Sequence, residues 1–261
     1  MPEQGTKEIT IQRARTDKRE EKPDLVAAEF PLSLILNEQE FITLLCTPEK
    51  MEYLAVGFLR SEGVIKEKDD ILSVRYESVK GSVIIKTRKQ DSLAEKLYGK
   101  RTVTSGCGKG TIFFNVLDSL TSKPATHAVP ISVAEILALS RLVQGRGEIF
   151  KQTGGVHGVA LCSAKDIIIF SEDIGRHNAL DKVLGEALME EVPVEDKILV
   201  SSGRISSEIL LKAAKLQIAL IVSRSAPTSL SVELAEKLGI TVVGFARGGR
   251  INIYSHPWRI S

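Results

Sequence analysis

Cysteine is scarce in this chain. Only Cys46, Cys107 and Cys162 occur among 261 residues, widely separated and with no CxxC pair. That excludes a disulfide scaffold and a zinc ribbon, and it fits a reducing, cytoplasmic compartment. Long apolar runs are missing as well. The stretch from Ile218 to Val222 is typical, and it falls far short of the ~20 residues a membrane-spanning helix needs. The segment from Glu3 to Asp24 is crowded with charge and lacks the apolar core of a signal peptide, so a soluble protein is expected. Neither charge sign dominates. Lys+Arg number 35 and Asp+Glu 33, a net charge of +2. A balance this even gives no general attraction to nucleic acid or to a membrane surface. Any anion site must be a local arrangement.

Three motifs are also absent. The string Gly108-Lys109-Gly110-Thr111 comes near a Walker A loop, but Val103 stands where a glycine is required and Gly110 follows the lysine. No GxGxxG fingerprint follows a strand. The HxE and PCxxC signature of zinc deaminases does not occur. There is no internal repeat and no low-complexity segment.

What is present reads as an α/β protein with a mixed α+β N-terminal portion. Residues 1–24 are expected to be a charged, flexible N-terminus. Residues 25–130 form an N-terminal α+β domain carrying the Cys107 loop, and residues 131–261 a C-terminal α/β domain. Leu32 to Leu36 and Phe41 to Cys46 read as a hairpin joined by the four residues NEQE. A helix follows, with Thr47 as N-cap, Pro48 at its first position and Gly63 past its end. Ile71 to Tyr76 and Val83 to Thr87 pair around Lys80-Gly81. A short helix near Leu93 to Leu97, a strand from Arg101 to Thr104 and the loop Gly106-Cys107-Gly108-Lys109-Gly110 come next. Ser122 to Pro130 is a candidate linker.

Ser132 and Glu135 form a capping box that opens a helix to about Val143. Val156 to Cys162 and Ile167 to Phe170 are strands, and Asn178 to Glu190 is an amphipathic helix. From 198 to 246 the pattern is βαβαβ, which implies parallel strands with covering helices. Ile251 to Tyr254 closes one edge.

If those strands are parallel, the segments after them share one edge of the sheet. They are Ser201-Ser202-Gly203-Arg204, Ser223-Arg224-Ser225 and Ala246-Arg247-Gly248-Gly249-Arg250. Open α/β sheets bind ligands beyond the carboxyl ends of their strands. Small residues admit a ligand to the backbone, helix N-termini favour anions, and arginine forks suit phosphate. A phosphate-rich ligand is predicted, with Ser202, Arg204 and Ser225 among its contacts. A second dense segment pairs Gly155 and His157 with Asp173, Arg176 and His177, residue types suited to proton transfer or to holding a polar head group. Asp173 could equally cap the following helix, and His157 could be a core histidine. Cys107, between glycines and close to Arg101 and Lys109, has the setting of a reactive thiolate. Cys46 and Cys162 end apolar runs and read as inert core residues.

The strings TSGCG, TGGVH, EDIGRHNALDKV, SSGRIS, SAPTSL and GFARGGR, in this order, resemble the FdhD family of accessory sulfurtransferases for formate dehydrogenase. The resemblance runs from about Glu29 to Ser255. It implies a cytidine-deaminase-like α/β/α sandwich in the C-terminal half and a homodimer. It implies sulfur taken as a persulfide on Cys107 from a cysteine desulfurase. The sulfur would pass to a molybdenum or tungsten bis(molybdopterin guanine dinucleotide) cofactor bound for the formate dehydrogenase catalytic subunit. Phe245, Ala246, Arg247, Gly248, Gly249 and Arg250 correspond to the family's cofactor-binding segment, and GDP should mimic the ligand. His157, Asp173 and His177 are expected to line the same site. Many members carry CGxCG in the loop, whereas this chain has the one cysteine. The alternative is a non-catalytic chaperone that delivers the cofactor.

Overall fold

The computed structural model describes residues 5–88, 124–125 and 130–261. The expected helix near Leu93, the strand Arg101 to Thr104, the Cys107 loop and most of the Ser122 to Pro130 linker lie outside these residues.

Strict alternation in Phe30-Pro-Leu-Ser-Leu-Ile-Leu buries Leu32, Leu34 and Leu36 on one face, which makes Phe30–Leu36 a half-buried strand. Two strands precede it, β1 (Thr6–Ala14) and β2 (Arg19–Ala27), so this one is β3. It pairs antiparallel with β4 (Gln39–Cys46). The link is the two residues Asn37 and Glu38, at φ 48° and 71°, not the four expected. A two-residue turn with both φ positive matches the twist of the strands it joins. Asn37 tolerates that geometry and exchanges hydrogen bonds with Thr87, donating to Oγ1 and accepting from the backbone N–H at 2.9 Å each. With β5 (Ile71–Glu77) and β6 (Ser82–Thr87) the sheet runs in the order β4-β3-β6-β5.

Helix α1 (Met51–Glu62) begins later than its sequence signals indicate. Lys50, in the left-handed region at φ 54°, is its N-cap, and Gly63 at φ 82° ends it as expected. Thr47 is not a cap. It is fully buried and its polar groups are engaged by residues more than a hundred positions away.

The second half builds one six-stranded sheet. Its strands are β7 (His157–Cys162), β8 (Ile167–Asp173), β9 (Ile198–Ser201), β10 (Leu220–Ser223), β11 (Thr241–Arg247) and β12 (Arg250–Ser255). The order is β12-β11-β10-β9-β7-β8, with β9, β10 and β11 mutually parallel as predicted and β12 an antiparallel edge. Alternation along each strand feeds two cores. Leu161, Leu199, Ile221 and Val242 face α4 (Arg176–Met189), α5 (Ser207–Lys215) and α6 (Ser229–Leu238). Ala160, Val200, Leu220 and Val222 face α2 (Val133–Arg146), which Ser132 and Glu135 open with the expected capping box. Helices therefore cover both faces. A short helix, α3 (Glu148–Thr153), leads into β7.

Helix α4 is not amphipathic, because it is buried between the sheet and α1. Two glycines let the helices touch backbone to backbone. A Cβ on Gly57 would lie 1.8 Å from the Asp181 carbonyl oxygen, and one on Gly185 would lie 1.9 Å from that of Tyr53. The N-terminal stretch, expected to be flexible, is also ordered. β1 and β2 form an antiparallel ribbon from Thr6 to Ala27. Its charges occupy both faces and hide the strand period in the sequence.

Candidate functional site

Three parallel strands end at the same edge, and their loops are stitched together there. The Arg224 N–H donates to Ser201 O at 3.2 Å, Ser223 Oγ to Gly203 O at 2.6 Å, and the Phe245 N–H to Ser225 O at 3.1 Å. Strand β7 runs the other way, so its first residue, His157, joins the same edge. Ser202 and Gly158 exchange two bonds, with Ser202 N–H donating to Gly158 O at 2.9 Å and Gly158 N–H to Ser202 Oγ at 3.0 Å. The small hydroxyls of this edge thus shape the backbone first. Ser202 Oγ also lies 3.4 Å from His157 Nδ1.

Around this scaffold the structure gathers His157, Arg176, His177, Ser202 and Arg204. Gly203 is the centre. A Cβ there would lie 3.2 Å from Arg176 Cβ and 3.3 Å from His157 Nδ1. Arg176 opens α4, whose N-cap, Gly175, supplies no side-chain cap, and no acid occupies the first turn. No acid of the helix's own first turn offsets the partial positive charge of its N-terminus, where the Asp173 carboxylate takes only the Gly175 N–H. The Nε of Arg176 is buried and has no hydrogen-bond partner among the described residues. Burial, and then repulsion from Arg204, lower the Arg176 guanidinium. Burial lowers the His157 imidazole, with Arg176 and Arg204 adding to the effect. Burial, Lys212, Arg176 and His157 bring His177 down to about 3. His177 is thus neutral at physiological pH. Its 3.5 Å approach to Glu208 is a polar contact, not an ion pair, and Ser206 Oγ lies 3.3 Å from the same Nε2. Positive charge converges here, with one guanidinium nitrogen left without a partner by the described residues. An anion with several acceptor oxygens complements such a site.

Asp173 does not line the site. It is wholly buried, and it accepts from the Thr47 N–H at 3.0 Å, Gly175 N–H at 2.9 Å, Asn178 Nδ2 at 3.0 Å and Lys182 Nζ at 2.7 Å. Lys182, equally buried, also donates to Thr47 O and Glu172 O. This saturated cluster fixes the turn that presents Arg176 and His177. Sequence reasoning missed the parts played by Thr47 and Lys182. The lysine inside an otherwise apolar helix was the available signal, since an unpaired lysine is almost never fully buried. Glu172 is likewise spent, capping α3 through the Ile149 and Phe150 N–H groups.

The Arg247-Gly-Gly-Arg250 string is a hairpin turn between β11 and β12. Gly248 and Gly249 sit at φ 62° and 77°, and none of the described residues lies within 4 Å of the Cβ either would carry. Arg247 and Arg250 face each other across it, both exposed. Like charges directly opposite are unfavourable, and no acidic partner among the described residues relieves them. Phe245 holds a left-handed φ of 52°, a conformation bulky residues rarely adopt, and the Arg247 guanidinium lies 5.8 Å from its ring centroid. Ala246 is fully buried, its carbonyl accepting from Ser140 Oγ at 2.5 Å, so it anchors the hairpin and exposes no surface. Ser225 is half-buried beside Phe245. Gly155 is exposed at the margin, packed towards Ala27 of β2. Arg224, between the two arginine groups, is held by Ser140 Oγ at 3.3 Å and was not singled out from the sequence. Strand spacing places the two arginine groups about 10 Å apart, two strands along the edge.

A concavity of about 1260 Å³ lies elsewhere, along the free side of β8 between α2 and the Glu49-Lys50 segment that precedes α1. Lys50 Nζ and Lys182 Nζ occupy the Phe170 and Glu172 carbonyls on that side. Among the described residues no group of three or more His, Cys, Asp or Glu could hold a metal ion. Cys46 and Cys162 are fully buried, and burial pushes both thiols up to about 12, as expected of inert core cysteines. Cys107 lies outside the described residues.

Comparisons with known proteins agree along most of the chain. The FdhD/NarQ family profile matches residues 27–261. The sulfur carrier protein FdhD of Bacillus subtilis is 46% identical over 237 residues, covering 91% of this chain and 90% of that one. The protein of the same name from Listeria monocytogenes serotype 4b is 44% identical over 253 residues, covering 96% and 97%. A crystal structure from Desulfotalea psychrophila, of a protein proposed to be a formate dehydrogenase accessory protein, superimposes with a TM-score of 0.81 at 27% identity, covering 98% of this chain and 99% of that one.

Proposed function

This chain belongs to the FdhD/NarQ family, and from that premise we propose that it is a sulfur carrier for the maturation of formate dehydrogenase. Sulfur arrives as a persulfide on Cys107, taken from a cysteine desulfurase. The substrate that receives it is the molybdenum or tungsten bis(molybdopterin guanine dinucleotide) cofactor, on its way to the formate dehydrogenase catalytic subunit. The observation that carries this reading is the unsatisfied positive cluster at the sheet edge. Arg176, Arg204 and the N-terminus of α4 suit one pyrophosphate, and Arg247 with Arg250 suit further anionic oxygens of the same ligand. Neutral His157 and His177 border the site and can donate to phosphate or to a base without adding charge. GDP is the minimal mimic. Helices on both faces of the six-stranded sheet support the reading of a cytidine-deaminase-like sandwich.

The chemistry asks for a thiolate. The Cys107 thiolate attacks the terminal sulfur of the donor persulfide, displaces the donor thiolate, and then presents that sulfur to the metal of the bound substrate. Cys46 and Cys162 cannot take this part, because their burial keeps them protonated. A single loop cysteine suffices for the relay. The setting is the cytoplasm, and the working unit a homodimer.

The test is persulfide labelling after incubation with a desulfurase and cysteine. Cys107→Ala loses the label, and Cys46→Ala and Cys162→Ala keep it. If the Cys107→Ala chain still matures formate dehydrogenase in a deletion strain, the protein is a delivery chaperone and the relay is wrong.

A further inference from the structure

A neutral imidazole has one N–H and one bare nitrogen, and the partner of one nitrogen fixes the role of the other. The two neutral histidines of the sheet edge are held by different nitrogens, so they offer a ligand different groups.

His157 is held at Nδ1. Ser202 Oγ lies 3.4 Å from that nitrogen and already accepts the Gly158 N–H at 3.0 Å. The hydroxyl proton has no other acceptor among the described residues, so it goes to Nδ1. Nε2 then carries the ring proton and remains a free donor. His177 is held at Nε2, which lies 3.3 Å from Ser206 Oγ and 3.5 Å from Glu208 Oε2. A carboxylate only accepts, and a bare Nε2 would set its lone pair against that charge. Nε2 therefore carries the proton. Lys212, bonded to Asp181 at 2.7 Å, lies 3.8 Å from the other oxygen of Glu208 and favours its ionised form. The Nδ1 of His177 is left bare. It has no partner among the described residues, and it is not one of the polar atoms sealed from solvent without one.

That nitrogen differs from everything around it. The Arg176 and Arg204 guanidiniums, the N–H groups that open α4 and the His157 Nε2–H are donors. Beside Arg176, in the first turn of the same helix, stands an acceptor. Phosphate oxygens bound by those donors are largely ionised at neutral pH and have little proton to give it. The matching donor has to come from an uncharged part of the same ligand. In a nucleoside diphosphate the sugar hydroxyls come next after the phosphates, and the base lies beyond the sugar. A nitrogen adjoining the phosphate site therefore meets a hydroxyl first.

We propose that His177 Nδ1 accepts a hydrogen bond from a ribose hydroxyl of the bound nucleotide, with Glu208 as the positioning residue that sets its tautomer. The site then selects ribonucleotides over their deoxy counterparts. The inference rests on the functional reading above and adds the sugar that the site takes. Calorimetry on the full chain compares GDP with 2′,3′-dideoxy-GDP. GDP should bind roughly tenfold more tightly, because the analogue covers the nitrogen and leaves it unpaired. His177→Leu should bind the two about equally. His177→Asn, whose amide oxygen can stand where Nδ1 stood, should keep most of the preference. Proton–nitrogen NMR of the full chain, labelled at histidine, should show His177 protonated at Nε2 and bare at Nδ1. Equal affinity of the parent chain for the two nucleotides overturns the proposal. So does a preference that survives His177→Leu, or a ring protonated at Nδ1. Weaker binding of IDP, which lacks the guanine amino group, with no discrimination of the sugar would mean that the nitrogen reads the base, and the ribose assignment would be wrong. If His177→Leu fails to fold, the parent chain's preference and the tautomer decide. If GDP itself does not bind, the functional reading has failed; if GDP binds and the sugar makes no difference, only this inference has.

Discussion

Two groups of charged residues lie within a few turns of each other and are built in opposite ways. Under the first turns of α4, Lys182 and Asp173 are fully buried, and each has its hydrogen-bonding capacity filled. Nearby, Lys212 and Asp181 repeat the pattern at 2.7 Å, with Ser61 adding a bond to the carboxylate. At the sheet edge, Arg176, Arg204, Arg247 and Arg250 carry as much charge, but the described residues offer them little in return. Saturated charge fixes the architecture, while the charge that the described residues leave open marks where we propose the ligand binds. The buried pair also serves the open cluster, because the turn it holds presents Arg176 and His177.

The difference can be broken from either side. Lys182→Met should have the largest effect, leaving Asp173 charged and buried without its partner. Removing one member of a buried pair costs about 3–5 kcal/mol, and chemical denaturation will read it as a lowered midpoint. If stability is unchanged, the pair is not the anchor described here.

His177 comes next. Its folded pKa, about 3, lies below the unfolded value near 6.5. Between these values the unfolded chain binds a proton that the folded chain refuses, so stability is intact above pH 6.5 and falls as the pH drops towards 3. The slope is at most about 1.4 kcal/mol per pH unit. His177→Gln should flatten that acid limb. An identical pH dependence in the variant would show that His177 is not held neutral.

The smallest effect belongs to the exposed hairpin. Arg247→Ala or Arg250→Ala should keep Tm or raise it slightly, by relieving the opposed charges, and weaken GDP binding less than about tenfold, in line with the modest worth of solvent-exposed charge pairs. A much larger loss would make the hairpin the principal anion clamp in place of Arg176.

Much of this was legible in the sequence. The βαβαβ alternation fixed the parallel strands, and parallel strands alone bring Ser202, Arg204, Ser225 and Arg247 to one edge. The capping box at Ser132 and the stop at Gly63 were local signals, and both held. What escaped were long-range substitutions for local roles. Thr47 and Pro48 look like a helix start, but Thr47 is consumed by Asp173, Ile174 and Lys182 across the helix interface. Asp173 looked like a site residue because it sits among site residues in sequence, and only the fold reveals its four donors. Gly57 and Gly185 gave no local hint that two helices meet through them. The ribbon was hidden because Glu8, Lys22 and their neighbours put charge on both of its faces.

Calorimetric titration of the full chain with GDP and with guanosine probes the sheet-edge cluster most directly. The diphosphate should bind at least tenfold more tightly than the nucleoside, and Arg176→Ala combined with Arg204→Ala should erase most of that difference. Each lost charged hydrogen bond is worth roughly 1.5–3 kcal/mol. Equal affinity for the two ligands, or a double variant that binds GDP as the parent chain does, would mean that the cluster is not a phosphate site.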